Sequence, residues 1–499
     1  MTGVIDTAQS GSSGQAHREP TGESRPASLA AWAAVVGLNL LALLLAGFGM
    51  WYHGIGHISM DSSMQLYEAY LGRSVTWNPP GMSAILRWLG PGPTGSSRLV
   101  ALNSMATFLS FGIVASALLL DRAERTRVRL PWAIVGILVP LAVMLNPVLM
   151  MYVGIVWKDV LFSTFMLSGA ALGLVAAVRR GPAMWMLALA GAVILGAGMK
   201  IRQHGIFMAP ALLLVPVIAV SWDRGLPKGR ALLYAGLVVV AFVLAAVSMR
   251  VAVSRTIATQ TEYGDAVGYR GIMMYDIAGT LTYSHTPTRD LPFDVPERMR
   301  DEARRIYTPD RGDYLTRSPE LMNWMTGEGD RVLRQRWQTL ARAEFPAFAR
   351  HKFAVWSSIL DIDGVAACLP VHVGIDGDRE NLKQTGFEPG QNARDREIYG
   401  YSRMILNWPI FRHFAYLGAL LAGLALLPFL RMPGRLKLGA LAVAMTAGLL
   451  YLSYLPASVA CDFRYLFAAI CLVSLYWIVL AASADGWQRP FAGSRNGAT

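Results

Sequence analysis

Of the 499 residues, 54% are hydrophobic and only 16% are charged, with a formal net charge of +12. Soluble domains run nearer a quarter charged, and here the apolar residues come in long blocks, which excludes an ordinary soluble protein and points to a polytopic membrane protein. In such a chain a basic excess reflects orientation in the bilayer and gives no support to a nucleic-acid partner.

Residues 1–27 are rich in Ser, Gly, Thr and Pro without apolar periodicity, which predicts a disordered cytoplasmic tail. The run Ser28–Met50 is too long for the apolar part of a signal peptide and no small-residue cleavage site follows it, so it reads as an uncleaved anchor. Further apolar blocks long enough to cross ~30 Å of hydrocarbon lie near 99–120, 131–150, 160–178, 184–199, 206–221, 231–251, 411–430, 438–456 and 466–482. The expectation is an all-α protein with about ten transmembrane helices, in which the short blocks 184–199 and 206–221 form either two spans or one hairpin. With the N-terminus inside, the inner loops 121–130, 179–183, 222–230 and 431–437 carry twelve Lys and Arg, against seven in the short outer loops. That asymmetry satisfies the positive-inside rule with both ends inside. The chain then divides into an N-terminal membrane module over 28–251 with a first outer loop at 51–98, a large outer segment over 252–410, C-terminal helices over 411–482 and a cytoplasmic tail over 483–499.

The 252–410 segment holds twenty basic and twenty-two acidic residues, and six prolines between Pro287 and Pro346 break it into short elements. The expectation is a mixed or irregular loop domain. Arg331–Phe345 aligns Leu333, Trp337, Leu340 and Glu344 on one helical face. It either lies on anionic headgroups or packs on the rest of the loop domain. Three cysteines make no disulfide framework, but Cys368 and Cys461 share the outer face, where a bridge is compatible with an oxidising compartment. Cys471 falls in the last span.

Chemistry-bearing residues gather at the outer ends of spans. In the first outer loop, Asp61, Gln65 and Glu68 follow helical spacing and share one face, and Trp77-Asn78-Pro79-Pro80-Gly81 turns into a short apolar stretch, Met82–Leu89. The loop reads either as an acidic helix aimed across the bundle mouth or as a plain interfacial helix with a wet face. Before the span at 160–178 stands Trp157-Lys158-Asp159. Asp159 suits a helix cap and Lys158 a snorkelling side chain, but both also fall on the same side of the membrane as Asp61. Lys200, Arg202 and His204 occupy a short outer loop where the orientation rule disfavours cations, which suggests a bound anion; Arg favours bidentate phosphate contacts and Lys acts as a point charge. Asp462-Phe463-Arg464-Tyr465 opens the final span with the same logic for Arg464. Carboxylates and cations on one interface suit a lipid-linked phosphate held beside a general base.

At these residues the sequence resembles the integral-membrane glycosyltransferases of the GT-C superfamily, in particular the bacterial RgtA/B/C/D-like, arabinose/mannose-transferase-like branch. The resemblance rests on Asp61 followed by Asn78-Pro79-Pro80, on Trp157-Lys158-Asp159, on the basic outer loop and on Arg464-Tyr465, and covers mainly 28–210 and 450–482. It implies a GT-C-like bundle that moves a sugar, with inversion, from a polyprenyl-phosphate donor to a glycan, lipid or protein acceptor of the bacterial cell envelope, on the periplasmic face of the inner membrane. It further implies Asp61 as the base and Asp159 as the second carboxylate; Glu68, on the same helix face as Asp61, is the expected substitute for a paired acid. Lys158, Lys200, Arg202, His204, Arg464 and Tyr465 become the substrate- and phosphate-binding set. Asn78 stands where many members carry His, and Ser62 where a second acid often sits, so the resemblance leaves open whether magnesium or manganese is used. An O-antigen polymerase or ligase, and a lipid-linked glycan flippase, are the competing readings; transporters tend to carry midplane charges and repeat symmetry, and the spans here are almost free of ionisable side chains.

Overall fold

Apolar, Leu- and Ala-rich blocks fold as helices because a chain in hydrocarbon must satisfy its backbone internally. The computed structural model describes residues 28–75, 78–221, 227–259, 266–362 and 368–488. In chain order the helices are α1 (Leu29–His53), α2 (Met60–Leu71), α3 (Gly81–Leu89), α4 (Gly92–Arg125), α5 (Leu130–Met144), α6 (Pro147–Val153), α7 (Lys158–Ala176), α8 (Gly181–Gly198), α9 (Gly205–Ser221) and α10 (Lys228–Thr256). They continue with α11 (Ala266–Tyr283), α12 (Glu297–Ile306), α13 (Pro319–Thr326), α14 (Asp330–Ala343), α15 (Phe345–Ile359), α16 (Arg379–Thr385), α17 (Ala393–Ile405), α18 (His413–Leu426), α19 (Gly434–Ala457) and α20 (Phe467–Ser483). The tails 1–27 and 489–499, and Trp77 of the Pro-Pro turn, lie outside the described residues.

All ten apolar blocks are helical, but they are not equal. Among the described residues seven helices are long and apolar enough to cross a bilayer: α1, α4, α7, α8, α10, α19, and α20 counted with the turn before it, Phe463–Leu466. The 131–150 block is broken into α5 and α6, bent by 41°. The bend sits at Leu145–Asn146, where Pro147 disfavours helical backbone in the residue before it and the Asn146 side chain instead caps α6 by accepting from Val148 N at 3.0 Å. With that pair as one span the count is eight. The 206–221 and 411–430 blocks form α9, with 17 residues, and α18, with 14, both shorter than the roughly 20 residues a straight crossing takes.

Within the bundle, 94% of the apolar window of α20 and 83% of that of α7 are buried in protein, against 17% for α10 and 22% for α1. Helices α20 and α7 are therefore the axis, and α1 and α10 are the faces left for lipid. At the end of the bundle away from the long inter-span segment, Arg122 donates to the carbonyls of Trp132, Ala481 and Ala484, and a two-residue ladder pairs β1 (Leu430–Arg431) with β2 (Gly486–Trp487).

The segment expected as a mixed or irregular domain over 252–410 is helical, and its expected start falls inside α10, which runs to Thr256. It divides in two. Residues from Met273 to Leu340, joined by Val355, build a core of their own around Leu281, Met299, Leu321 and Leu333. From Ile359 onward, Val371, Val373, Leu382, Ile398 and Ile405 join the core of the bundle itself. The Arg331–Phe345 stretch corresponds to α14, which turns Leu333 and Leu340 into the smaller core while Trp337 Nε1 donates to Asp276 Oδ2 at 2.9 Å; packing on the loop domain is its role. Cys368 and Cys461 are bonded, and Cys471 is a buried free thiol.

Candidate functional site

Four stretches of extended chain meet where α1 hands over to α2. Ile155 pairs with His57, and Ile375 pairs with Ile58 on one side and Gly390 on the other. Gly56, at φ +82°, makes the turn that allows this; a Cβ there would run into Val100 and Val156. The crossing delivers Asp61 to the first turn of α2, where the helix amides favour a carboxylate.

Asp61 accepts from Arg464 Nη2 at 2.6 Å, across 403 residues of chain. The same guanidinium donates from Nε to Asp462 Oδ2 at 2.8 Å and lies 4.8 Å over the Trp157 ring. Trp157 in turn donates from Nε1 to Ser59 Oγ at 2.7 Å, so one indole ties the start of α2 to the arginine that Asp61 needs. These charges remain reachable: the side chains of Asp61 and Asp462 are 24% and 28% exposed. Burial works against ionisation of Asp61, but Arg464 and Lys158 outweigh it and hold its carboxyl below the ordinary value. Asp462 goes the other way, because burial raises it and Arg464 offsets that only in part, with Asp159 and Asp61 adding repulsion.

Beneath this open tier lies a closed one. Asp159 and Arg202 form an ion pair whose side chains are 1% and 6% exposed. Arg202 also donates to Tyr465 O at 3.0 Å and to the Tyr454 hydroxyl. Burial disfavours the Arg202 charge, but Asp159 more than restores it. His204, Tyr454 and Tyr465 stack in parallel, at 4.7 Å and 5.7 Å between neighbouring rings.

Several expectations change accordingly. Asp159 and Arg202, expected to touch substrate, neutralise each other inside the protein. Asp159 is not the cap of α7 either, since Trp157 holds that position. Glu68 does share the helix with Asp61, but it is fully buried and serves Ser83 Oγ at 2.7 Å and Val75 N at 3.0 Å; Gln65 is buried as well, so the face expected to be wet is turned into the protein. His204, expected as a cation, is pushed down to about 3 by burial and by Arg202, and is neutral at physiological pH. Lys158 donates to Asn78 Oδ1 and lies close enough to Asp61 to act on its charge. Lys200 is exposed, its backbone against Gly81, where a Cβ would meet Lys200 O at 2.6 Å. Tyr465 contributes its ring to the stack and its carbonyl to Arg202.

Among the described residues no group of three His, Cys, Asp or Glu side chains is placed to hold a metal ion. Asp61 and Asp159 each face a guanidinium group rather than each other.

Three contributors went unassigned from sequence. Asp462 and Trp157 stood inside recognised clusters without a role, and their neighbours Arg464 and Lys158 were the available signal. His372 had none: it reaches Ile58 O from Nε2 at 2.8 Å across 314 residues of chain, and it approaches Trp157.

Fold and site together define an all-α polytopic membrane protein with a charged centre at one end of the bundle. No protein family, no curated protein and no solved structure matches the chain.

Proposed function

We propose that the protein is a membrane glycosyltransferase that moves a sugar from a polyprenyl-phosphate carrier to a cell-envelope acceptor, with the centre facing the periplasm. The observation that carries this reading is the partly exposed Asp61–Arg464–Asp462 array at the interfacial end of a bundle. A carboxylate held ionised stands there beside cations suited to a phosphate.

In the proposed reaction the acceptor hydroxyl oxygen attacks the anomeric carbon, the bond from that carbon to the phosphate oxygen breaks, and its electron pair leaves with the phosphate. The hydroxyl proton passes to Asp61. A base so placed supplies about 10²–10⁴-fold. Arg464 and Lys158 stabilise charge developing on the phosphate. The centre's three carboxylates, Asp61, Asp159 and Asp462, balance Lys158, Arg202 and Arg464 in formal charge, and exposed Lys200 is the proposed source of the surplus positive charge that an anionic donor requires. Asp159 and Arg202 act as positioning residues, through the Tyr465 carbonyl beside Arg464.

The test is Asp61→Asn in a strain lacking the native copy, with envelope glycans compared by mass spectrometry. Transfer is expected to be lost while the amount of protein in the membrane stays unchanged; wild-type glycans in that strain would remove Asp61 from the mechanism.

A further inference from the structure

Beside the charged centre, the chain from His372 to Arg379 and the turn at Pro389–Gln391 enclose an open cleft of about 560 Å³, within the ~300–1,000 Å³ of small-ligand sites. Its frame is fixed on both flanks. Asp376 N donates to Ile58 O at 2.7 Å, while Ile375 and Gly390 exchange two backbone hydrogen bonds of 2.9 Å. Gly374 at φ +97° and Gly390 at φ +134° allow the close pairing; a Cβ on Gly374 would strike Gln391 and Gly390 O. The cleft adjoins the centre through His372, whose ring packs toward Trp157, the residue under Arg464.

The lining has a particular chemistry. Asp376 and Arg379 are exposed and make no ion pair among the described residues. They bring one negative and one positive group, so the cleft has no surplus charge with which to select a phosphate. Gln391 spends one amide N–H on Val373 O at 3.0 Å, which leaves its oxygen and second N–H for a ligand. Burial, acting against a weaker pull from Ile58 O and Asp376, keeps His372 below its ordinary value and hence neutral. A neutral imidazole, a carboxamide, a carboxylate and a guanidinium around one open cleft offer donors and acceptors in balance, as a polyol requires.

We propose that this cleft is the acceptor subsite, and that it takes a neutral, polyhydroxylated sugar unit of a glycan rather than a lipid headgroup or an acidic sugar. The proposal rests on the glycosyltransferase reading, and it divides the labour: the donor phosphate at Arg464, Lys158 and Lys200, the acceptor sugar at His372, Asp376, Arg379 and Gln391.

The experiment is saturation-transfer NMR on the full-length protein in detergent micelles, with maltose, cellobiose and mannobiose as neutral probes and glucuronic acid as the acidic one. At least one neutral disaccharide is expected to receive saturation from the wild type. The double variant Asp376→Ala, Arg379→Ala is expected to weaken that signal about tenfold, at an unchanged melting temperature because both side chains are exposed. Asp61→Asn is expected to retain it. Saturation of glucuronic acid alone, of none of the probes, or equally in wild type and double variant, would overturn the proposal. A sugar that binds in the cleft while a strain lacking the protein altogether still makes wild-type glycans would instead overturn the transferase reading and leave the sugar-binding cleft standing.

Discussion

Two acid–base clusters in this protein use nearly the same side chains to different ends. In the smaller core of the loop domain, Asp276 on α11 has no exposed surface. It takes Trp337 Nε1 at 2.9 Å and His351 Nε2 at 3.0 Å and pairs with Lys352, while Tyr307 OH meets His351 Nδ1 at 2.7 Å. Even the room for His351 is built in, since a Cβ at Gly279 would lie 2.1 Å from Nδ1. At the end of the bundle, Asp61 also carries a hydrogen-bonded cation but keeps 24% of its side chain open. Composition does not separate the two; solvent access does. A carboxylate whose every neighbour is protein can hold helices together, and only one with an open flank can meet a substrate.

The sharpest way to break the comparison is to strip each cluster of its carboxylate. Asp61→Asn is expected to lower transfer by about 10²-fold or more with little change in stability. Asp276→Ala strands Lys352 in the core and is expected to cost about 3–5 kcal/mol, read as a lower melting temperature and less folded protein, with activity falling only in proportion to yield. If Asp276→Ala instead abolishes transfer per folded molecule, the structural assignment fails. Arg202→Ala places the closed tier of the site with the Asp276 cluster, because it leaves Asp159 buried without its partner; a loss of folded protein of similar size is expected. Full yield combined with weaker donor use would move Arg202 back among the substrate-binding residues.

A smaller effect is expected at Asp361, a carboxyl that has neither full pairing nor an open flank. Burial raises it to about 8, with Arg412 pulling down and Asp310 pushing up. Its unfolded value lies near ~3.9. The folded state therefore holds the proton more tightly, and the residue lowers stability increasingly as pH rises from about 4 to about 8. Asp361→Asn is expected to raise the melting temperature by about 2–4 °C above pH 8 and to have no effect near pH 4. Asn also tolerates the left-handed backbone there, φ +53°. A shift of equal size at both pH values would show that the gain comes from the backbone and not from the charge.

Much of the helix order was legible because hydrocarbon imposes one rule on every apolar block. Part of the site was legible too: Asp61 and Arg464, quoted from opposite ends of the chain as parts of one centre, are hydrogen-bonded. The burial of Glu68 was not legible, because helical spacing gives a shared face but not which way that face turns, and Ser83 and Val75 meet it inside the protein. The pairing of Arg202 was not legible, because a cation against the orientation rule looks like an anion site until its partner is known, and the partner, Asp159, lies on α7.

The sequence by itself determined that this is a helical membrane protein and which end of each block carries charge, since both follow from local composition. Tertiary structure alone decided which charges cancel and which stay open. That outcome depends on which helices pack against α7 and α20, and on a loop more than 300 residues downstream pairing with Ile58. Solvent access to a charge is a property of everything around it, and no local stretch of sequence contains that.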